Sequence, residues 1–228
     1  MTYYRYRFSF GQGLTPAIKN LMIAMGVVFL LQQMLRMTSI DLYVYYFLNY
    51  FALDPEKVWN QYYVWQLFTY IFLHGDFFHI LFNLFSLWMF GGELESYWGS
   101  RRFLTYFFFC GVGAGIFTVL LSPYPVIGAS GAIYGILLAF GWLFPNRPIY
   151  LYFLFPIPAK YMVIIFGLIE FFSSGSAAGG GVAHLTHLGG LVFGFFLMAY
   201  PTIRQKIRRE YYKRKWSQKG PGGRNYYS

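Results

Sequence analysis

Charge is what this sequence has least of. Only 11% of its 228 residues are Asp, Glu, Lys or Arg, against about a quarter in an ordinary soluble domain. Nowhere is there a polar stretch large enough to fold alone as a water-soluble module. Cysteine is almost missing: Cys110 stands alone, so no intramolecular disulfide can form, and a lone thiol in an apolar run reads as a small packing residue. The sequence also lacks a small-x-small cleavage site after its first apolar run, where Gln32-Gln33-Met34-Leu35-Arg36 follows instead. That run is therefore a span, not a signal peptide that would be removed. No internal repeat is evident.

What is present is hydrophobic: 57% of residues are apolar and 24% aromatic. Apolar runs recur along nearly the whole chain and predict one all-α, polytopic membrane domain over residues 16–200. Six spans are expected, near residues 16–35, 74–92, 103–121, 130–145, 159–172 and 182–200. The connection after the first span is long and rich in Tyr and Trp, which suits a segment lying in the membrane interface. Glu93, Glu95, Arg101 and Arg102 are expected in a short loop after the second span. The fourth span, from Ser130 to Pro145, is short for a bilayer crossing, so its start is expected below the membrane surface with the preceding loop folded inward. Pro156 and Pro158 interrupt the apolar stretch 149–155, which reads as interfacial. The Ser/Gly-rich stretch 173–181 reads as a flexible loop.

The net charge of +10 is unevenly placed. Residues 1–15 carry Arg5 and Arg7, and the tail 201–228 carries nine cations from Arg204 to Arg224. With six spans, both termini share one side with every cation except Arg36 and Lys57. The positive-inside rule places that side in the cytoplasm. The tail is expected to be disordered and to lie on anionic lipid headgroups; nothing points to nucleic acid.

Polar groups inside apolar runs are expensive and call for a reason. Ser130 sits in Gly128-Ala129-Ser130-Gly131 at the start of the fourth span, and His187 lies in the sixth. The alternating topology puts both near the same membrane face. A serine hydroxyl is a weak nucleophile unless a base takes its proton, and a neutral histidine can do so. Gly131-x-x-x-Gly135 and Gly190-x-x-x-Gly194 offer small-residue stripes that would let the two helices approach closely. The alternative is plain helix packing, with the serine satisfied by a backbone carbonyl.

Hydrolysis of an amide also needs donors to an oxyanion. His79 and Asn83, spaced i, i+4, share a face of the second helix and can donate, as can the Ser130 backbone N–H. An interhelical hydrogen-bonded pair is the alternative reading. His74, His79, His184 and His187 are all the histidines in the chain. His184 and His187 could share a helix face, but there is no HExxH, and Asp76 and Glu170 lack ligand spacing. Neither a metal nor a cofactor is expected. His74 and His184 are expected to orient loops or line a wet cavity.

Trp65-x-Leu67-Phe68-Thr69, His74-x4-His79-x3-Asn83, Gly91-Gly92-x-x-Glu95, Gly128-x-Ser130-Gly131 and His187-x2-Gly190-x3-Gly194 occur in this order. The ordered set resembles the rhomboid family of intramembrane serine proteases in its basic six-span bacterial form, and covers the chain to about Tyr200. The resemblance implies a six-helix rhomboid-like bundle with a membrane-embedded first loop, in a bacterial inner membrane. It implies a Ser130–His187 dyad without a third acidic member, and an oxyanion hole of His79, Asn83 and the Ser130 amide. It further implies that Tyr134 stacks on the catalytic histidine. His187, not His184, is the implied base, because only His187 has glycines three and seven residues later. Gln66 stands where the family commonly has arginine. The implied substrates are single-span membrane proteins cut in or beside their transmembrane helix. The fifth span and the 173–181 loop would act as gate and cap. An inactive relative that binds transmembrane helices, or a transporter, would be the other readings; both dyad residues are present, and the repeated halves and paired broken helices of transporters are not.

Overall fold

The computed structural model describes residues 14–151, 155–174 and 183–200. Residues 1–13, the tail 201–228 and most of the 173–181 loop lie outside that set. Six main helices are described: α1 (Pro16–Thr38), α2 (Phe77–Trp98), α3 (Ser100–Leu121), α4 (Ser130–Leu143), α5 (Ala159–Ser173) and α6 (Ala183–Tyr200). Of these, α1, α2, α3 and α6 are long and apolar enough to cross a membrane. The chain is a multi-pass membrane protein. Helix α4 has 14 residues and α5 has 15, so each is about 21–23 Å long, short of a full hydrocarbon core.

The order of burial follows from the small residues. Half of the most apolar stretch of α3 is buried, against 22% for that of α1, which makes α3 the central helix. Its Gly111, Gly113 and Gly115 lie against Ile71 and Ala132, Phe193, and Tyr70, so that the loop, α4 and α6 all reach its backbone. Large apolar side chains such as Ile23, Leu30, Phe78, Phe82 and Phe172 stay exposed on the outside, as a lipid solvent allows.

Two polar clamps set α1 antiparallel to α2. At one end the Glu95 carboxylate accepts hydrogen bonds from the Ala17 and Ile18 N–H groups (2.8 and 3.0 Å), the Ser100 hydroxyl (2.6 Å) and the Thr15 hydroxyl. It thus caps a helix start whose own N-cap side chain does not. At the other end buried Gln32 accepts from the His74 N–H (3.1 Å) and donates to the His74 carbonyl (3.3 Å).

The structure departs from the expected elements in three places. Helix α2 does not stop near Gly92 but runs on to Trp98, through a π-helical turn at Leu87–Gly91, so Glu93 and Glu95 are helical. Gly91 is a contact, not a breaker: a Cβ there would lie 2.7 Å from Ile18 Cδ1. The helix ends at Gly99, whose φ of +80° suits glycine. Second, part of the interfacial stretch pairs as a small antiparallel hairpin, β1 (Pro148–Leu151) with β2 (Phe155–Pro158). Third, residues 40–72 form a string of short helical turns. Buried Gln66 ties them together, donating to the Asn49 carbonyl and accepting from the Asp54 N–H, both at 3.0 Å. Trp65 Nε1 donates to the Tyr50 carbonyl (2.8 Å).

Candidate active site

Ser130 opens α4. The residue before the motif, Ile127, is followed by Gly128 with φ +121°, a backbone conformation that favours glycine. The Gly128 N–H is held by the Tyr70 carbonyl at 2.9 Å. This turn fixes where α4 starts and hence where the serine points.

His187 lies on the second turn of α6. The two helices meet along the predicted glycine stripes. A Cβ on Gly190 would fall 1.8 Å from the Gly131 carbonyl oxygen, and one on Gly194 would fall 3.1 Å from Gly135 Cα. Backbones this close admit only hydrogen at those positions. The approach brings His187 Nε2 to 2.8 Å from Ser130 Oγ. Tyr134, one turn after Ser130, lies under the imidazole: ring centroids are 4.3 Å apart and the planes 11° from parallel.

His79 lies on the first turn of α2, where the Asp76 carboxylate caps the helix by accepting from the His79 N–H (2.9 Å). Its Nδ1 accepts from the Gly75 N–H (3.3 Å), which leaves the ring proton on Nε2. That Nε2 abuts Gly128, where a Cβ would approach to 2.6 Å. Buried Asn83 donates one amide hydrogen to the His79 carbonyl (2.8 Å). His74 is fully buried, edge-on to His79 at 5.1 Å. Burial, reinforced by His79 nearby, pushes its pKa down to about 4. His74 is thus a neutral side chain in the turn before α2, bonded through its backbone to Gln32 and through Nδ1 to the Phe72 carbonyl at 3.2 Å.

Sequence spacing missed Glu170. This residue of α5 is buried, and its carboxylate meets three of the site's side chains. It accepts from the Tyr134 hydroxyl, engages His184 Nδ1, and places Oε1 at 3.1 Å from His187 Nδ1. The last contact is within ion-pair reach but lacks the alignment of a hydrogen bond, and Nδ1 has no other partner among the described residues. His184 thus contacts Glu170, and the loop 175–182 beside it lies outside the described residues. Ligand atoms of Glu170, His184 and His187 lie within 4.8 Å of one another, a set that could hold a metal ion. The signal was present in the sequence: Glu170 is a lone acid in an apolar run, and such groups need partners.

Residues 61–204 match the rhomboid domain family. The rhomboid protease GluP of Bacillus subtilis is 38% identical over 136 residues, covering 59% of this chain and 25% of that protein. Rhomboid protein 1, mitochondrial, of Saccharomyces cerevisiae is 31% identical over 131 residues, 54% of this chain and 38% of that one. The rhomboid protease GlpG of Yersinia pestis is 27% identical over 208 residues, 89% of this chain and 69% of the relative. The chain thus spans less than half the length of the first two.

Proposed function

Since the chain belongs to the rhomboid family, we propose that it is an intramembrane serine protease that hydrolyses peptide bonds in or next to transmembrane helices. The observation that carries this reading is the 2.8 Å contact between Ser130 Oγ and His187 Nε2 at the meeting of two glycine stripes. Ser130 Oγ attacks the scissile carbonyl carbon while its proton passes to His187 Nε2, and the carbonyl π pair moves to oxygen. His79 Nε2–H, an Asn83 amide hydrogen and the Ser130 N–H donate to that oxyanion. Collapse breaks the C–N bond, and the proton on Nε2 goes to the leaving amine. Water, deprotonated by the same nitrogen, then hydrolyses the acyl-serine ester and restores Ser130.

The substrates are single-span membrane proteins. A helix amide is hydrogen-bonded and covered, so the substrate unwinds locally, and small or helix-breaking residues near the cut lower that cost. Substrate enters past α5, with the 173–181 loop as cap. The protein lies in a bacterial inner membrane with both termini cytoplasmic, and its basic tail rests on anionic headgroups.

The test is cleavage of a single-span substrate by purified protein in liposomes. Wild type is expected to cut. Ser130→Ala and His187→Ala are expected to fall to background while keeping their fold, and His184→Ala to lose far less. Cleavage that survives Ser130→Ala would refute the assignment.

A further inference from the structure

Among the described residues, Glu170 is the acid that touches the reacting pair, and the dyad reading gives it no task. We propose that the Glu170 carboxylate is the positioning residue for His187, so that this chain works with a Ser130–His187–Glu170 arrangement. The inference rests on the protease reading above.

The geometry accounts for each contact. A neutral imidazole carries one N–H, on either nitrogen. A base facing Ser130 needs its lone pair on Nε2, hence its hydrogen on Nδ1. Oε1 of Glu170, 3.1 Å from Nδ1, is the acceptor that selects that tautomer. A small turn of the ring aligns the bond, and catalytic hydrogen bonds are often poorly aligned before substrate arrives. When Ser130 gives up its proton, the imidazolium forms beside a carboxylate, which keeps its charge and takes no proton itself. The carboxylate is in turn held from two sides, by the Tyr134 hydroxyl and by His184 Nδ1. Tyr134 thereby does two things: its ring fixes the plane of His187, and its hydroxyl anchors the group that fixes rotation within that plane.

The carboxylate rides on α5, whose other buried residues are only Ala159 and Met162. Outward displacement of α5 would carry Glu170 away from His187. Docking of this helix and orientation of the base are thus the same event.

The experiment compares wild type, Glu170→Gln and Glu170→Asp in liposomes, with fluorophosphonate reactivity and melting temperature measured on each. Glu170→Gln is expected to lower kcat by about 10- to 100-fold, at a KM within threefold (roughly a uniform-binding criterion). Its melting temperature should hold, and phosphonate labelling of Ser130 should slow in parallel. Glu170→Asp is expected to recover part of kcat. Unchanged kcat in Glu170→Gln, or a loss that follows melting temperature alone, would overturn the proposal while leaving Ser130 and His187 standing. A wild type that neither cuts nor labels would instead defeat the protease reading. A second measurement needs no variant: 15N NMR of the histidine rings should show His187 protonated at Nδ1. Protonation at Nε2 instead, or a stoichiometric transition metal bound by active protein, would overturn the role.

Discussion

Two buried carboxylates sit in different parts of the bundle, and their partners set them apart. Glu95, 3% exposed, is met by two backbone N–H groups and two hydroxyls of its surroundings. The contacts from Thr15, Ala17 and Ile18 fix α1 to α2, Ser100 ties in the start of α3, and none of the four can exchange a proton near neutral pH. Glu170, 4% exposed, is met by a phenol and two imidazoles, one of which touches a serine. Burial of an acid in a membrane helix therefore signals a requirement without saying which. The identity of the partners separates a staple from chemistry.

The sharpest contrast comes from one glycine at the Ser130–His187 helix contact and one beside Glu95. Gly190→Ala would drive a methyl into the Gly131 carbonyl and is expected to cost more than about 4 kcal/mol, with loss of activity and of a cooperative melt. Gly92→Ala, near Glu95, meets nothing within 4 Å and is expected to leave both unchanged. Next, Glu95→Ala is expected to destabilise by about 3 kcal/mol while the folded fraction keeps its kcat, measured by melting in detergent alongside cleavage. Equal losses in kcat per folded molecule would erase the distinction between the two ends.

His74 gives an effect of intermediate size. The unfolded chain takes up a proton there as pH falls through 6.5, whereas the folded protein does so only at about 4. Stability is thus fullest above pH 6.5 and falls between 6.5 and 4. About 2 kcal/mol should disappear between pH 7 and 5. His74→Gln should flatten that part of the melting-temperature profile; a profile as steep as wild type would assign the loss elsewhere. The smallest effect is expected for Tyr134→Phe, which keeps the ring under His187 and removes the donor to Glu170. A fall of about fivefold in kcat corresponds to about 1 kcal/mol. No fall would mean that stacking alone holds the imidazole.

The parts that followed from local pattern were legible in the sequence. Apolar runs announced the helices, and the Gly131/Gly135 and Gly190/Gly194 stripes announced which two would touch. Ser130 and His187 stood out as polar groups at matching depth. The hidden parts depend on contacts between distant segments. Gln66 is a short amide, yet it bridges Asn49 and Asp54 because those turns fold over it. Glu95 reads as loop until α2 is seen to continue past its double glycine. Glu170 has no ligand-like spacing to any histidine, since the helix that carries it packs beside theirs only in three dimensions. Pairing of β1 with β2 is likewise a matter of how two proline-rich edges meet.

The central claim is that Ser130 is activated by His187, and a covalent probe reads it most directly. Purified protein in lipid would be treated with a fluorophosphonate and the adduct located by mass spectrometry. The account predicts one adduct, on Ser130, lost in Ser130→Ala and strongly slowed in His187→Ala. Labelling of another residue, or labelling of Ser130 at an undiminished rate without His187, would contradict it.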